Sequence, residues 1–240
     1  QSRRTVEEIE RVYPEFTGLN LSLEVIDGLR KHQTSWDNPK KDEAVKPSLE
    51  AQVVNMGDEI AYQNHDVDDG LRAGIFTELD LQKLSLWAMA FELTEKLYGP
   101  IEDAKIRWSR VISKMVGIMI TDVCVETNER LENNGIKTLA EVYASHTSLV
   151  GFSPELLDAN RQLKEFLLAR FYNHPDTVAP MRKGQETIKK LFKYYMENPQ
   201  DLPMLAVGET ERARLLRDYL AGMTDRFAEL AAERLELFSR

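Results

Sequence analysis

The chain has 240 residues, of which 42% are hydrophobic and 30% charged, a composition typical of a globular protein that buries a sizeable core. Its formal net charge of -9 argues against nucleic acid as the main partner, because that affinity depends on clustered Lys and Arg. The sequence has neither a run of about 18 apolar residues nor a basic-then-apolar start, so no membrane span and a cytoplasmic location are expected.

The spacing of apolar residues predicts a mostly α-helical chain, since sustained strand-like alternation, Asn-Gly hairpins and glycine-rich phosphate loops are lacking. In chain order, helices are expected at about 2–12, 20–32, 47–65, 67–76, 80–97, 103–132, 154–172, 178–197 and 209–237. Because the chain begins at Gln1 and its first residues already have helical spacing, we expect that an upstream segment has been removed. The stretch 33–46 is polar, contains a proline and lacks periodicity, which predicts a surface loop.

The predicted helix 103–132 is apolar around much of its circumference, so a central core helix is expected. Cys124, the only cysteine, lies in this helix and is expected to be a buried, inert thiol. The predicted helix 209–237 is amphipathic, and its apolar face fits either closure of the core or contact with a partner subunit. The pattern leaves these two alternatives open.

The most informative segment is 47–74, PSLEAQVVNMGDEIAYQNHDVDDGLRAG, whose apolar stripe consists of Leu49, Val53, Met56 and Ile60. At about 100° per residue, Asp58 lies roughly opposite this stripe, and Tyr62 and Asp66 follow it on the same face. Val54 and Ala61 flank that face with small apolar groups, so we expect it to be covered. A covered face that bears carboxylates requires metals, cations or hydroxyl donors as partners.

Four segments of the chain resemble, in the same order, those of a known family. They are Tyr13-Pro14 with Gly18-Leu19-Asn20-Leu21; Asp58-Glu59-Ile60-Ala61-Tyr62 with His65-Asp66 and Asp68-Asp69-Gly70-Leu71-Arg72-Ala73-Gly74; Leu149-Val150-Gly151-Phe152-Ser153; and Asp218-Tyr219-Leu220-Ala221-Gly222-Met223-Thr224-Asp225-Arg226. Together they resemble bacterial dGTPase-like members of the HD-family deoxynucleoside triphosphate triphosphohydrolases. The resemblance implies an all-α, HD-domain-like multi-helical bundle with a helical C-terminal region. In this interpretation residues 1–100 form the C-terminal part of the HD catalytic core, and residues 101–240 pack on it.

The resemblance also implies a site and a reaction. In the family, a histidine, a His-Asp doublet and a late aspartate bind a divalent metal, which directs water at the α-phosphate of a deoxynucleoside triphosphate and releases deoxynucleoside and triphosphate. Asp58 matches the late aspartate, with Mg²⁺, Mn²⁺ or a similar cation as its metal. Tyr62 matches the position that packs against the 2′ edge of the sugar, and Asp66 the position that accepts a hydrogen bond from the 3′-hydroxyl.

The first histidine, the doublet and the catalytic histidine of the family have no match in these 240 residues. The chain alone is therefore expected to be catalytically incomplete, and no catalytic residue is assigned within it. A rival metal site would use His32 as first histidine, His65-Asp66 as doublet and Asp122 as late aspartate. This assignment is disfavoured, because the family's doublet lies among Gly, His and Pro residues, and because His65-Asp66 already belongs to the later motif.

Several cationic and acidic residues are secondary candidates for substrate contact. They are Arg72, Asp225 and Arg226, and the basic cluster Arg182, Lys183, Lys189, Lys190 and Lys193, although a charge run on a helix is usually a solvated face. Two other functions stay open: a catalytically silent module that binds nucleotides or partners, and an HD hydrolase of a cyclic or guanosine polyphosphate. Tyr62 and Asp66 favour a deoxy sugar over the latter. A homo-oligomer is implied by the resemblance only.

Overall fold

The computed structural model describes residues 2–31, 46–202, 208–235 and 237. Within these ranges all regular structure is helical and no strand occurs, which confirms the predicted all-α class. The α-helices are α1 Ser2–Arg4, α2 Leu23–Arg30, α3 Leu49–Arg72, α4 Glu78–Leu81, α5 Ser85–Tyr98, α6 Ala104–Asn133, α7 Leu139–Ala144, α8 Pro154–Leu167, α9 Pro175–Glu197, α10 Glu209–Ala221 and α11 Asp225–Arg234. Shorter π or 3-10 segments lie at Thr5–Ile9, Leu168–Tyr172 and Pro199–Asp201. The loop predicted at 33–46 lies outside the described residues apart from Lys46, and so does the rival metal ligand His32.

Contacts divide the chain into two compact units, Gln1–Phe171 and Tyr172–Arg240. Helix α6 packs against α3 and α5 and therefore belongs to the first unit. In the second unit, α9 packs against α10 and α11. The division after residue 100 concerns the extent of the catalytic core and stays a prediction.

Polar N-caps begin the long helices α3 and α6. The Ser48 side chain accepts a hydrogen bond from the Ala51 backbone N–H at the start of α3, at 3.3 Å. The Asp103 carboxylate does the same for Ile106 in α6, at 3.0 Å. Such caps satisfy backbone donors that have no partner inside the helix. They explain why α3 and α6 begin within two residues of the predicted positions.

The segment 47–74 forms one helix where two were predicted, because α3 runs without a break through residues 65–67. Buried side chains continue along it as far as Val67 and Leu71, so tertiary packing stabilises the polar run. The helix ends before Gly74, whose positive φ of 68° suits glycine and closes the turn. As a result, Asp58 and Asp66 lie on one rigid element.

The predicted helix 209–237 is instead a pair of helices, because Thr224 caps a new helix by accepting from the Phe227 N–H at 3.3 Å. Helix α7 was not predicted, although its capping box is legible in the sequence: Thr138 and Glu141 each bond the other's backbone N–H. Helix α10 and helix α11 close a core of their own with α9, formed by Leu191, Tyr195, Leu202, Leu216, Leu220, Ala228 and Ala232.

Helix α6 buries one narrow stripe rather than most of its circumference. The stripe consists of Val111, Met115, Met119 and Val123. Ile106 is 56% exposed, Ile120 is 50% exposed and Cys124 is exposed, so α6 is not buried around much of its circumference and the prediction of a buried thiol is wrong. The reason is that α3 and α5 are the main helices packed against α6 within the described residues. In the same part of the chain, no helix is both long and apolar enough to cross a bilayer.

Candidate metal and nucleotide site

Asp58, Tyr62 and Asp66 lie four residues apart along α3, so they follow one side of the helix. The Asp58 side chain is exposed, the Tyr62 side chain is 51% exposed, and Asp66 is 8% exposed. At 1.5 Å rise per residue, the backbone positions of Asp58 and Asp66 are separated by about 12 Å. This face is therefore open at Asp58, half-exposed at Tyr62 and closed at Asp66.

The expectation that the whole face is covered is wrong for the described residues. Val54 is 62% exposed, and Ala61 is exposed as well. Helices α6 and α8 pack elsewhere on α3, as the burial of Ile60, Val67 and Leu71 indicates. Near Asp58 the face is accessible to another element or to a ligand.

The described residues contain no group of three or more His, Cys, Asp or Glu side chains that could hold a metal ion. The three described members of the rival set, His65, Asp66 and Asp122, accordingly do not form one. The Asp122 carboxylate instead accepts hydrogen bonds from the Ser153 N–H at 2.9 Å and hydroxyl at 2.6 Å, before α8. Asp58, an exposed hard oxygen donor, fits one ligand position of a divalent metal but not a complete site.

The buried side of α3 carries polar groups that the sequence did not single out. The Gln52 side chain is 6% exposed, and its Oε1 accepts from the backbone N–H of Leu149 at 3.1 Å and of Val150 at 3.2 Å. Its Nε2 donates to the carbonyl of Pro47 at 3.0 Å. A single buried amide thus attaches the beginning of α3 to the segment 149–153.

Arg130 of α6 holds the same segment from another direction. Its guanidinium donates to the carbonyl of Phe152 at 2.7 Å and to that of Ser148 at 3.3 Å, and it pairs with Glu126 at 2.7 Å. A Cβ on Gly151 would lie 2.7 Å from the Arg130 Nη1, so a side chain there would displace the guanidinium. The segment 149–153 therefore has a structural role in joining α3, α6 and α8.

Glu59, the neighbour of Asp58, faces α8. Its Oε1 accepts from Asn160 Nδ2 at 2.8 Å, from Lys164 Nζ at 2.7 Å and from Gln63 Nε2 at 3.4 Å. Asn160 is 1% exposed and Gln63 is 4% exposed, so the cluster is largely withdrawn from water. Sequence reasoning missed these residues; the four-residue spacing of Glu59 with Gln63 was a local signal for that hydrogen bond, but no local signal connected Glu59 with α8.

The motifs and their placement agree with the chain's similarity to known proteins. Residues 150–234 match the family described as the Phosphohydrolase-associated domain. A deoxyguanosinetriphosphate triphosphohydrolase-like protein of Geobacter sulfurreducens is 37% identical over 236 residues, covering 95% of this chain and 61% of the relative. One from Ruegeria sp. is 34% identical over 256 residues, covering 99% of this chain and 67% of the relative. The chain belongs to the deoxyguanosinetriphosphate triphosphohydrolase-like family.

This triphosphohydrolase-like chain spans about three fifths of the length of the two Geobacter relatives, at 61% each. The part matched as the Phosphohydrolase-associated domain begins within the segment 149–153 and includes α8. Asp58, Tyr62 and Asp66 lie before it. The candidate site face of α3 and the associated domain are thus separate in sequence, but Gln52 and Glu59 join helix α3 to that domain.

The secondary candidates of the triphosphohydrolase-like chain make local contacts. Arg72 donates to Asp68 Oδ2 at 2.6 Å, and this hydrogen bond raises the pKa of Arg72. Asp225 and Arg226 are exposed in the first turn of α11. Within the basic cluster, Lys183 pairs with Glu229 at 2.7 Å. Substrate contact by any of these residues stays a prediction.

Proposed function

We propose that the protein containing this chain hydrolyses deoxynucleoside triphosphates to deoxynucleoside and triphosphate in a reaction that depends on a divalent metal. The observation that carries the proposal is the placement of Asp58, Tyr62 and Asp66 along one side of a single helix in a triphosphohydrolase-like chain. Asp58 is a metal ligand in this proposal, and Tyr62 and Asp66 bind the sugar.

Asp58 suits a site for Mg²⁺ or Mn²⁺ because a carboxylate is a hard donor and its side chain is exposed. When bound, the metal would polarise the phosphoryl oxygen, activate water and offset the charge that develops on the phosphate. The other ligands and the catalytic histidine are supplied, in this proposal, from outside the described residues. Asp58 alone cannot enclose a metal, since such ions require six or more oxygen ligands or waters.

Tyr62 and Asp66 support a deoxy sugar with a free 3′-hydroxyl. The half-exposed ring of Tyr62 offers an apolar surface to the 2′ edge, where a ribose hydroxyl would be crowded. The Asp66 carboxylate is 8% exposed, and a buried acceptor discriminates strongly between substrates that offer a hydroxyl and those that lack it. Each step of four residues along α3 is a rise of about 6 Å, which places the two sugar contacts successively farther from Asp58.

The direct test replaces Asp58 by Asn, which keeps the size of the side chain but removes its charge. Release of triphosphate from each dNTP, with Mn²⁺ or Mg²⁺, is measured on the full-length protein. We expect the rate of triphosphate release to fall by roughly 100-fold or more, because even residues that only hydrogen-bond to metal ligands contribute 10- to 100-fold to metal affinity or activity. Glu92→Gln, an equivalent change at an exposed position on α5, is the control. Retention of full activity by Asp58→Asn, with the helical circular dichroism unchanged, would exclude Asp58 as a ligand.

A second candidate function is nucleotide binding without turnover. It would hold if no further ligands complete a metal site, since the described residues contain no group of three metal-ligating side chains. The same assay separates the two functions when the 240-residue chain and the full-length protein are compared. Turnover by the longer protein alone supports the hydrolase, and binding of dNTP without turnover by both supports the silent module.

A further inference from the structure

Helix α3 is held to the 149–164 region by directional hydrogen bonds at two levels. Gln52 and Glu59 are seven residues apart, so their directions around the helix differ by only about 20°. Gln52 bonds the backbone N–H groups of Leu149 and Val150, whereas Glu59 bonds α8 two turns farther along. These two attachments lie on the same side of α3.

The attachment through Glu59 combines a charged pair with a buried amide. Lys164 and Asn160 both donate to Glu59 Oε1, at 2.7 Å and 2.8 Å. The side chains of Glu59 and Lys164 are 20% and 26% exposed. Partial burial strengthens such a pair, and Asn160 adds a bond with a fixed direction.

Directional bonds add to apolar packing in fixing the rotation of a helix, because each bond requires its donor and acceptor to be aligned, whereas the burial of apolar surface has no preferred direction. Asp58 precedes Glu59 by one residue and is therefore about 100° away around α3. If α3 turned by 20°, a side-chain end about 6 Å from the helix axis would move by roughly 2 Å. Metal-ligand distances vary by only about 0.2 Å, so Asp58 needs this rotation to be defined.

We propose that Glu59 is a positioning residue which, through Asn160 and Lys164, fixes the rotation of α3 and thereby aims Asp58 at the metal and Tyr62 at the sugar. This inference rests on the proposed function of Asp58. Asn160 and Lys164 belong to the region matched as the Phosphohydrolase-associated domain, whereas Glu59 does not. Through Asn160 and Lys164, the associated domain therefore affects the site indirectly, by holding α3, the helix that carries Asp58 and Tyr62.

The test uses the full-length protein with Glu59→Gln and Lys164→Met. Both variants should lower kcat by roughly 10- to 100-fold, as loss of outer-shell support does at metal sites. They should also raise the Mn²⁺ concentration needed for half-maximal rate. Lys164→Arg, whose guanidinium can still donate to Glu59, should keep most of the wild-type kcat. A purely structural role would lower the melting temperature without moving kcat or the Mn²⁺ dependence.

Arg161→Met is the matched control, because Arg161 lies on the same helix and its pair with Asp158 is exposed and does not involve Glu59. We expect it to behave as the wild type. Unchanged kcat and Mn²⁺ dependence in both Lys164→Met and Glu59→Gln, with wild-type turnover and an inactive Asp58→Asn, would overturn the positioning role and leave the proposed function intact. A wild-type protein that hydrolyses no dNTP would overturn both.

Discussion

Gly70 lies in α3 directly against the ring of Phe76, and this contact predicts the effect of adding one methyl group. A Cβ at position 70 would be 2.1 Å from Phe76 Cζ, whereas carbon atoms in contact are separated by about 3.5 to 4.0 Å. The ring would have to move by about 1.5 Å to reach that separation. It is 2% exposed and packs edge-on against Phe166 and Phe171, with centroid distances of 5.0 Å and 6.4 Å. Displacement of the ring is therefore costly.

Overpacking of this kind costs about 1 to 3 kcal/mol, while replacing Gly by Ala inside a helix stabilises it by about 0.8 to 1.0 kcal/mol. Gly57 on the same helix is the matched control, because a Cβ there would meet no heavy atom within 4 Å among the described residues. Gly57→Ala should then raise the free energy of unfolding by about 0.5 to 1 kcal/mol. Gly70→Ala should be less stable than Gly57→Ala by about 1 to 3 kcal/mol.

The assay is urea unfolding of the 240-residue chain, followed by far-UV circular dichroism and by the fluorescence of its tryptophans. Replacing the ring by a smaller side chain in Phe76→Leu should lower the free energy of unfolding less in the Gly70→Ala background than in the wild type. A double-mutant cycle measures this difference. Equal stability of Gly70→Ala and Gly57→Ala would refute the close contact between Gly70 and Phe76.

Two further predictions concern an ion pair and the sugar contact. Burial raises the pKa of Glu78, but hydrogen bonds from Arg107 and Trp108 outweigh it and hold that pKa below its ordinary value. The bonds to ionised Glu78 therefore stabilise the folded chain fully above the ordinary glutamate pKa of about 4.3, and this stabilisation is lost as the pH falls below it. Glu78→Gln should lower the free energy of unfolding by about 1 to 3 kcal/mol at pH 7. In urea titrations, its difference from wild type should be smaller below about pH 4. A difference that is independent of pH would contradict this prediction. Tyr62→Ala should reduce the preference for dGTP over GTP in kcat/KM by about 10-fold or more, and an unchanged preference would rule out a sugar-contact role for Tyr62.

Local regularities of the sequence determined the all-α class and the placement of Asp58, Tyr62 and Asp66 along one side of α3. The caps of α3 and α6, Ser48 and Asp103, are also local, because a cap and its helix are adjacent in the chain. Such features depend on residues a few positions apart, so their spacing can be read directly.

Only the tertiary structure decided which faces are buried and which polar groups meet. Glu59 and Asn160 are 101 residues apart, and Gln52 and Leu149 are 97 apart, so no local pattern predicts either pair. The same long-range packing continues α3 beyond residue 65, where two separate helices were predicted, and leaves Ile120 exposed, where the apolar pattern of α6 predicted a core. The physical reason is that propensity acts within a turn of helix, whereas burial depends on which distant element packs against it.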